Sequence, residues 1–189
     1  KTDIEATFMR MKDDHMQNGQ LKPAYNVQIA VENYFIIHTY ISNDRTDYNT
    51  LIPVLEKHKK YLKKFPQEVT ADSGYSSEAN LVYLKNNNID SYIKLQMHEK
   101  MKTRAYKNDP GKFYNMEKII TENGVHFICK DGRKLQYERS EYRNHNGYRS
   151  NFEVYACKDC SGCEFKPHCL YKYNEEKDIH KNKVMKINL

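Results

Sequence analysis

A single carboxylate lies where a β-rich stretch passes into a helix-like one, in the segment VTADSGYSSEANLVYL at residues 69–84. Val69 and Thr70 are β-branched residues that favour a strand, and Asp72 and a turn rich in Ser and Gly follow them. In open α/β sheets, ligands and catalytic groups gather at the carboxyl edge of the strands. Asp72 is therefore a candidate catalytic residue, and the alternative interpretation is an Asp that caps the turn or the next helix.

The second group of chemically capable residues is a cluster of cysteines in the segment CKDCSGCEFKPHC. The four cysteines of this segment are Cys157, Cys160, Cys163 and Cys169. The C-x2-C spacing lets two thiolates reach one ion from a tight turn, and Gly162 allows the backbone to fold between them. We predict a structural Zn²⁺ held by four thiolates, and Cys129 or His168 is a candidate substitute for one of them.

Two other interpretations of the cysteine cluster stay open. The spacing is also similar to the C-x2-C-x2-C runs of iron–sulfur proteins, in which the fourth Cys usually lies nearer and precedes Pro. Alternatively, the thiols are reduced and hold no ion, with an adventitious disulfide at most. A site closed by four thiolates would be structural, because it has no open position for catalysis, and it would supply folding energy that a small polar β unit lacks.

Composition and charge limit the class of protein. The chain has 189 residues and a formal net charge of +6, which suits one large domain or a domain with an insertion and mildly favours a polyanionic partner. No apolar run approaches the roughly 18 residues of a membrane span, and the N-terminal residues lack the apolar core of a signal peptide. Because the sequence also lacks an initiator Met, we expect a piece of a longer protein. In a reducing compartment, clustered cysteines indicate metal rather than disulfides.

The hydrophobic pattern predicts the α/β elements that would position these residues. In chain order they are strands at 25–32 and 34–42, a helix over about 48–64, a strand at 69–72, a helix from about 78 to 86–88 and a strand at 89–95. The first two strands form a hairpin, the second being apolar enough to be buried on both faces. The strand–helix–strand order that follows predicts parallel pairing. Residues 1–24 are expected to be irregular, and the chain beyond about residue 96 is expected to be a basic loop followed by an antiparallel β unit.

Several segments together are similar to those of bacterial insertion-sequence transposases that carry an Asp-Asp-Glu acid triad. ATFMRMKDDHMQNGQLKPAYNVQIAVE resembles the family's entry into its second strand, and NDRTDYNTLIPVL resembles the start of the helix after its third strand. VTADSGYSSEANLVYL resembles the Ala-Asp-x-Gly-Tyr signature that holds the second acid. The Cys-rich tail resembles an insertion that one subgroup has before its last catalytic helix. The order of these segments, rather than any single one, carries the resemblance.

The resemblance implies a partial RNase H-like mixed-sheet core at residues 1–97 and a basic, β-rich, Cys-rich insertion at residues 98–189, in which the predicted zinc would lie. It makes Asp72 the second catalytic acid and a ligand of Mg²⁺. Two such ions can activate the attacking oxygen and stabilise the leaving one. The first Asp and the final Glu of the triad would lie outside this chain, so we expect the chain alone to be inactive.

Other acids of the chain match no position of the triad. They are Asp3, Asp13, Asp14, Asp44, Asp47 and Glu78. Of these, we expect Asp47 to help cap the helix that follows it.

The implied parent protein cleaves and joins DNA at the ends of a mobile element. It would work in the bacterial cytoplasm at the nucleoid, without a membrane, as a homo-oligomer in its active complex. Basic residues of the insertion would contact DNA or a second protomer, or else form a flexible solvated linker: Lys100, Lys102, Arg104 and Lys107. Two other functions stay open. A non-catalytic, zinc-stabilised nucleic-acid-binding remnant would bind DNA without Mg²⁺, and an RNase H-like nuclease would nick DNA without joining it.

Overall fold

The computed structural model describes residues 3–11, 16–122, 124–145 and 147–188. Two of the acids considered above, Asp13 and Asp14, lie outside the described residues. The chain divides into two compact units, Lys1–Gln96 and Met97–Leu189, which we call the N-terminal and the C-terminal unit.

The N-terminal unit begins with a short antiparallel hairpin of β1 (Thr7–Arg10) and β2 (Leu21–Ala24). The prediction that residues 1–24 are irregular is therefore wrong for these strands. Side chains of β1 alternate between half-buried and exposed. A period-2 pattern over only four residues is too short to stand out in a polar stretch.

A second hairpin, predicted from the sequence, is confirmed as β3 (Asn26–Glu32) and β4 (Phe35–Ser42). Asn33 and Tyr34 connect the two strands and have φ angles of 48° and 69°. Two consecutive positive φ angles match the right-handed twist of the strands and give the tightest kind of hairpin turn.

The unit continues with α1 (Leu51–Leu62), β5 (Glu68–Ala71), α2 (Glu78–Asn86) and β6 (Asp90–Ile93). β5 and β6 pair in parallel, as the strand–helix–strand order predicts. Pro53 lies in the first turn of α1, where its missing N–H removes no helical hydrogen bond. The buried core consists of Leu51, Leu55, Leu84 and Ile89, so it packs α1 against α2 and the start of β6.

The β3–β4 hairpin turns a polar face inward and an apolar face outward. Gln28 and His38 are only 6% and 7% exposed, and the His38 ring contacts that of His58 in α1. On the other face, Val27 and Ile41 lie opposite each other and are 55% and 64% exposed. The prediction that β4 is buried on both faces is therefore wrong, because only its polar side faces a neighbouring element.

Within the described residues, the strand pairs β1–β2, β3–β4 and β5–β6 are separate sheets. The unit is thus of mixed α/β class, as the sequence predicts. A mixed-sheet core would hold the hairpin and the parallel pair in one sheet, so an RNase H-like core stays a prediction.

The C-terminal unit begins with α3 (His98–Lys102) and α4 (Arg104–Lys107), two short helices in the stretch that was expected to be loop-like. The strands that follow are β7 (Glu117–Thr121), β8 (Gly124–Ile128), β9 (Lys134–His145), β10 (Tyr148–Cys157) and β11 (Val184–Asn188). They form one antiparallel sheet in the order β11-β10-β9-β8-β7, which confirms the predicted antiparallel β unit. Short helices α5 (Lys166–Cys169) and α6 (Glu175–Asp178) lie between β10 and β11 in the chain.

The core of this sheet is built from large apolar side chains and two of the cysteines. Phe127, Leu135 and Tyr155 are buried together, and Cys157 and Cys160 belong to the same cluster. None of the helices in the described ranges combines the length and apolar character needed to cross a bilayer.

Candidate active site and thiol cluster

Asp72 follows the last residue of β5 and caps the 3-10 turn Ser73–Tyr75. Its Oδ1 accepts a hydrogen bond from the Gly74 N–H at 2.7 Å, and its side chain is exposed. The turn-capping interpretation is therefore correct as a description of the local geometry. Capping occupies one carboxylate oxygen and orients the group, so it is compatible with a second role at the carboxyl end of the strand.

Asp47 is the carboxylate that lies near Asp72. It opens the 3-10 turn Asp47–Asn49 before α1, and its Oδ1 accepts hydrogen bonds from Asn26 Nδ2 at 2.7 Å and Gln28 Nε2 at 2.9 Å. The expectation that Asp47 caps the following helix is wrong. The N-cap residue of α1 is Thr50. The Asp47 carboxylate is bound instead by the side-chain amides of Asn26 and Gln28 in β3.

Gly74 lies between the two carboxylates. A Cβ added to Gly74 would meet Asp72 Oδ1 at 2.9 Å and Asp47 Oδ2 at 3.0 Å. Because both oxygens lie within 3.0 Å of the same point, they are less than 6 Å apart. Glycine at this position leaves the space that the two carboxylates occupy, and its backbone angle is an ordinary one.

Tyr75 and Asn80 connect the turns that carry the two acids. The Tyr75 hydroxyl donates to Gln28 Oε1, and the pKa of Tyr75 is raised by burial and then by the negative charges of Asp47 and Asp72. Asn80 is fully buried, and its Nδ2 donates to the Tyr48 carbonyl at 3.0 Å and to the Tyr75 carbonyl at 2.9 Å. One side chain of α2 thus binds both turns.

Two carboxylates this close supply the hard oxygen donors that Mg²⁺ prefers. Proteins commonly bind Mg²⁺ through one or two carboxylates while water and substrate phosphates complete its shell. Among the described residues, neither Asp47 nor Asp72 forms an ion pair with Lys or Arg. No group of three or more His, Cys, Asp or Glu side chains in the described ranges is arranged to hold a metal ion. The pair therefore fits part of a magnesium site.

The five cysteines all line one small cavity in the C-terminal unit, with a volume of about 20 Å³. Cys129 directly follows β8, Cys157 ends β10 and Cys169 ends α5. Cys160 and Cys163 lie in the connection between β10 and α5. The fold thus brings a cysteine from a different hairpin to the four that are close in sequence, and all five thiols are free.

The thiols differ in their surroundings. Cys157 and Cys160 are buried in the core cluster, and Cys129 packs against that cluster. Burial raises the pKa of Cys157 to about 11. Cys160 Sγ accepts the Lys183 N–H at 3.3 Å. Burial, and after it the nearby carboxylate of Asp131, raises the pKa of the Cys163 thiol.

Comparison with known families decides what kind of protein carries these two sites. A family model described as "Transposase DDE domain" matches residues 1–179, which include Asp72 and all five cysteines. The chain belongs to the transposase DDE domain family. No curated protein and no solved structure matches the chain. The resemblance inferred from the sequence is thus confirmed for the family.

The transposase DDE domain family consists of enzymes that bind DNA, cleave it and join it, generally with Mg²⁺. Asp72 lies at the end of a strand, and its assignment as a catalytic acid of this family stays a prediction. Sequence reasoning missed the nearby Asp47, which lies 25 positions earlier and reaches the site only through the packing of its turn. It also missed Gln28, Tyr75 and Asn80, for which no spacing signal was available.

The basic residues expected to contact DNA lie on the two short helices that open the C-terminal unit of this transposase domain. They are Lys100, Lys102, Arg104 and Lys107, and all are exposed. Lys102 pairs with Glu99 at 3.5 Å, and this pair is solvent-exposed on both sides. Exposed pairs of this kind contribute little to stability. Breaking this pair to contact a partner would therefore cost little free energy.

Proposed function

We propose that this chain is part of a DNA transposase that cuts and joins DNA strands at the ends of a bacterial mobile element, and that Asp72 is the second metal-binding acid of its triad. The observation that carries the proposal is the pair of carboxylates, Asp47 and Asp72, held less than 6 Å apart at the end of β5. The family match supplies the reaction class. We assign no residue of this chain to the first or third acid.

Hydrogen bonds from neighbouring residues orient the two carboxylates that would bind the cation. Gly74 N–H orients Asp72, and Asn26 and Gln28 orient Asp47, so each carboxylate has one oxygen fixed by neutral donors. Fixing the carboxylates before the ion arrives lowers the conformational cost of binding. The Mg²⁺ bound there would supply positive charge to the phosphate and to the attacking and leaving oxygens.

Substitution of Asp72 tests this proposal. In the complete transposase, we expect Asp72→Asn to reduce strand cleavage and strand transfer by at least about 100-fold, since even outer-shell changes at metal sites cost 10–100-fold. DNA binding should be largely retained. Glu68→Gln is the matched control, because Glu68 is an exposed acid at the opposite end of β5. Full cleavage and transfer by Asp72→Asn would contradict the assignment.

The same assay separates the other candidate functions. A non-catalytic binding module would retain DNA after Asp72→Ala and without Mg²⁺, and the unmodified protein would produce no cleavage. A nuclease would nick DNA in a manner that depends on Asp72 but would give no joined product.

We further propose that the thiol cluster holds a structural Zn²⁺. Sulfur donors suit this ion, and a cavity of about 20 Å³ has room for a single small species. The described thiols are not in a coordinating arrangement, so binding would require side-chain rotation within the cluster. The support for the proposal is that all five cysteines line one small cavity.

A further inference from the structure

The hairpin of β9 and β10 extends well beyond the rest of its sheet. β8 pairs only with the first three residues of β9, and β11 pairs with β10 only from Phe152 to Ala156. The two strands continue alone, as far as the pair formed by His145 and Tyr148. We call residues 142–145 and 148–151 the arm. Within the described residues, the arm is a two-stranded ribbon without a third strand.

The arm is positively charged. It contains Arg143, Arg149 and His145, and the sequence from 142 to 151 has no Asp or Glu. The neighbouring acid Glu141 is occupied by other cations, since Arg139 donates to its Oε1 at 2.6 Å and Lys186 pairs with its other oxygen. The charge of the two arm arginines is therefore left for a partner.

Both arm arginines are held against aromatic rings. Arg149 lies 4.1 Å from the ring centre of Tyr142, and Arg143 lies 5.5 Å from that of Phe152. A guanidinium stacked on a ring loses less conformational freedom when it binds an anion, because its plane is already positioned. The arm thus presents two pre-positioned cations.

One face of the arm carries side chains that can hydrogen-bond to base edges. Strand pairing places Tyr142 opposite Asn151 and Asn144 opposite Arg149 on this face. Tyr142 is 63% exposed, and Asn144, Arg149 and Asn151 are also exposed. Asn and Arg are the side chains that most often read adenine and guanine in the major groove.

The dimensions of the ribbon suit a groove of duplex DNA. The stretch of the arm from Tyr142 to His145 spans roughly 10 Å at about 3.4 Å per residue. The major groove is about 12 Å wide and 8.5 Å deep and admits a two-stranded β-ribbon. The arm is therefore long enough to reach the floor of the groove while its base stays outside.

We propose that the arm enters the major groove of duplex DNA, with the face of Tyr142, Asn144, Arg149 and Asn151 at the bases and Arg143, on the opposite face, at a backbone phosphate. This inference rests on the proposed function, because it takes DNA as the substrate of the protein. It adds a DNA-contacting surface formed by residues other than Asp72 and the basic residues of α3 and α4.

Salt-dependent DNA binding tests the arm. The probe is a fluorescent 30-base-pair duplex with the full chain, measured by anisotropy between 50 and 200 mM salt. Each phosphate contact contributes about 0.9 to the slope of log affinity against log salt. We expect Arg143→Gln with Arg149→Gln to lower the slope by about 0.9, from the one phosphate contact, and the affinity at least about tenfold, because the base contact of Arg149 is lost as well. Replacing both arginines with Lys should keep most of the slope.

The matched control removes two charges elsewhere in the same sheet. Lys118→Gln with Lys134→Gln changes exposed positions on β7 and at the start of β9. This variant should change the slope by much less than the arm variant. An arm variant that binds like the unmodified chain would overturn the arm proposal and leave the transposase proposal intact. Absence of binding by the unmodified chain at 50 mM salt would also overturn the arm proposal, whereas the transposase proposal is judged by Asp72→Asn.

Discussion

The separation of the Asp47 and Asp72 carboxylates depends on a residue without a side chain. Gly74 donates its N–H to Asp72 and leaves the space in which oxygens of both acids approach. The sequence signals the turn around Gly74, since Ser and Gly follow a strand that ends in an acid. It does not signal Asp47, because a contact between turns 25 residues apart arises from packing and not from local spacing.

We predict that Gly74→Ala impairs the site more than the fold. The new Cβ would lie 2.9–3.0 Å from two carboxylate oxygens, closer than ordinary contacts allow. The acids are at the flexible ends of side chains and can move aside, so the free energy of unfolding should fall by only about 1 kcal/mol, the low end of overpacking costs. Cleavage by the complete transposase should fall about 10- to 100-fold, as for a displaced metal-ligand neighbour.

Thermal unfolding and a cleavage assay together measure both effects of Gly74→Ala. Ser73→Ala is the control, because it changes the preceding residue without adding an atom. Unchanged cleavage in Gly74→Ala would show that the approach of the two carboxylates has no catalytic role.

At the scale of elements, hydrophobic periodicity and turn residues predict the helices and strands and the pairing of strands that are close in the chain. The β3–β4 hairpin, α1, α2 and the parallel pairing of β5 with β6 all follow from the sequence pattern. The β1–β2 hairpin does not, because its strands are four residues long and polar. The burial of β4 was predicted wrongly, because a run of apolar residues shows what a strand can bury but not which neighbours cover it.

In the thiol cluster, too, the sequence predicts the contacts between residues that are close in the chain but not those between distant residues. Spacing identifies the four cysteines from Cys157 to Cys169, whereas Cys129 is brought to them by the pairing of β8 with β9. Cys129 packs against the core cluster that contains Cys157 and Cys160, and this position favours Cys129 as a ligand over Cys163, whose thiol lies near the carboxylate of Asp131.

We therefore predict that Cys129→Ser weakens zinc binding more than Cys163→Ser. Loss of one of four thiolate ligands should lower the affinity at least about tenfold, whereas loss of a non-ligand should have little effect. Zinc content after dialysis against a competing chelator measures the difference between the two variants, which both replace one thiol with a hydroxyl. The opposite order would assign the site to the four cysteines that are adjacent in sequence.

At the scale of the whole molecule, the cores of the two units differ in composition. The N-terminal unit has an apolar core of Leu51, Leu55, Leu84 and Ile89. The core of the C-terminal unit includes two cysteines whose thiols line the cavity. Because binding energy at a structural metal site becomes folding energy, zinc should stabilise the C-terminal unit directly. The family match spans both units, so it does not distinguish the stabilisation of one unit from that of the other.

Removal of zinc should consequently loosen one unit before the other. We predict that a chelator increases amide hydrogen exchange at least about tenfold in β8, in β10 and in the first residues of β9, which surround the cluster, because local opening there loses the free energy of metal binding. Exchange in α1, α2 and β5 should change little, since their core contains no thiol. Adding Zn²⁺ back should restore protection. Equal loss of protection in both units would show that the chain unfolds as one cooperative body, and unchanged exchange throughout would show that the thiols hold no structural ion.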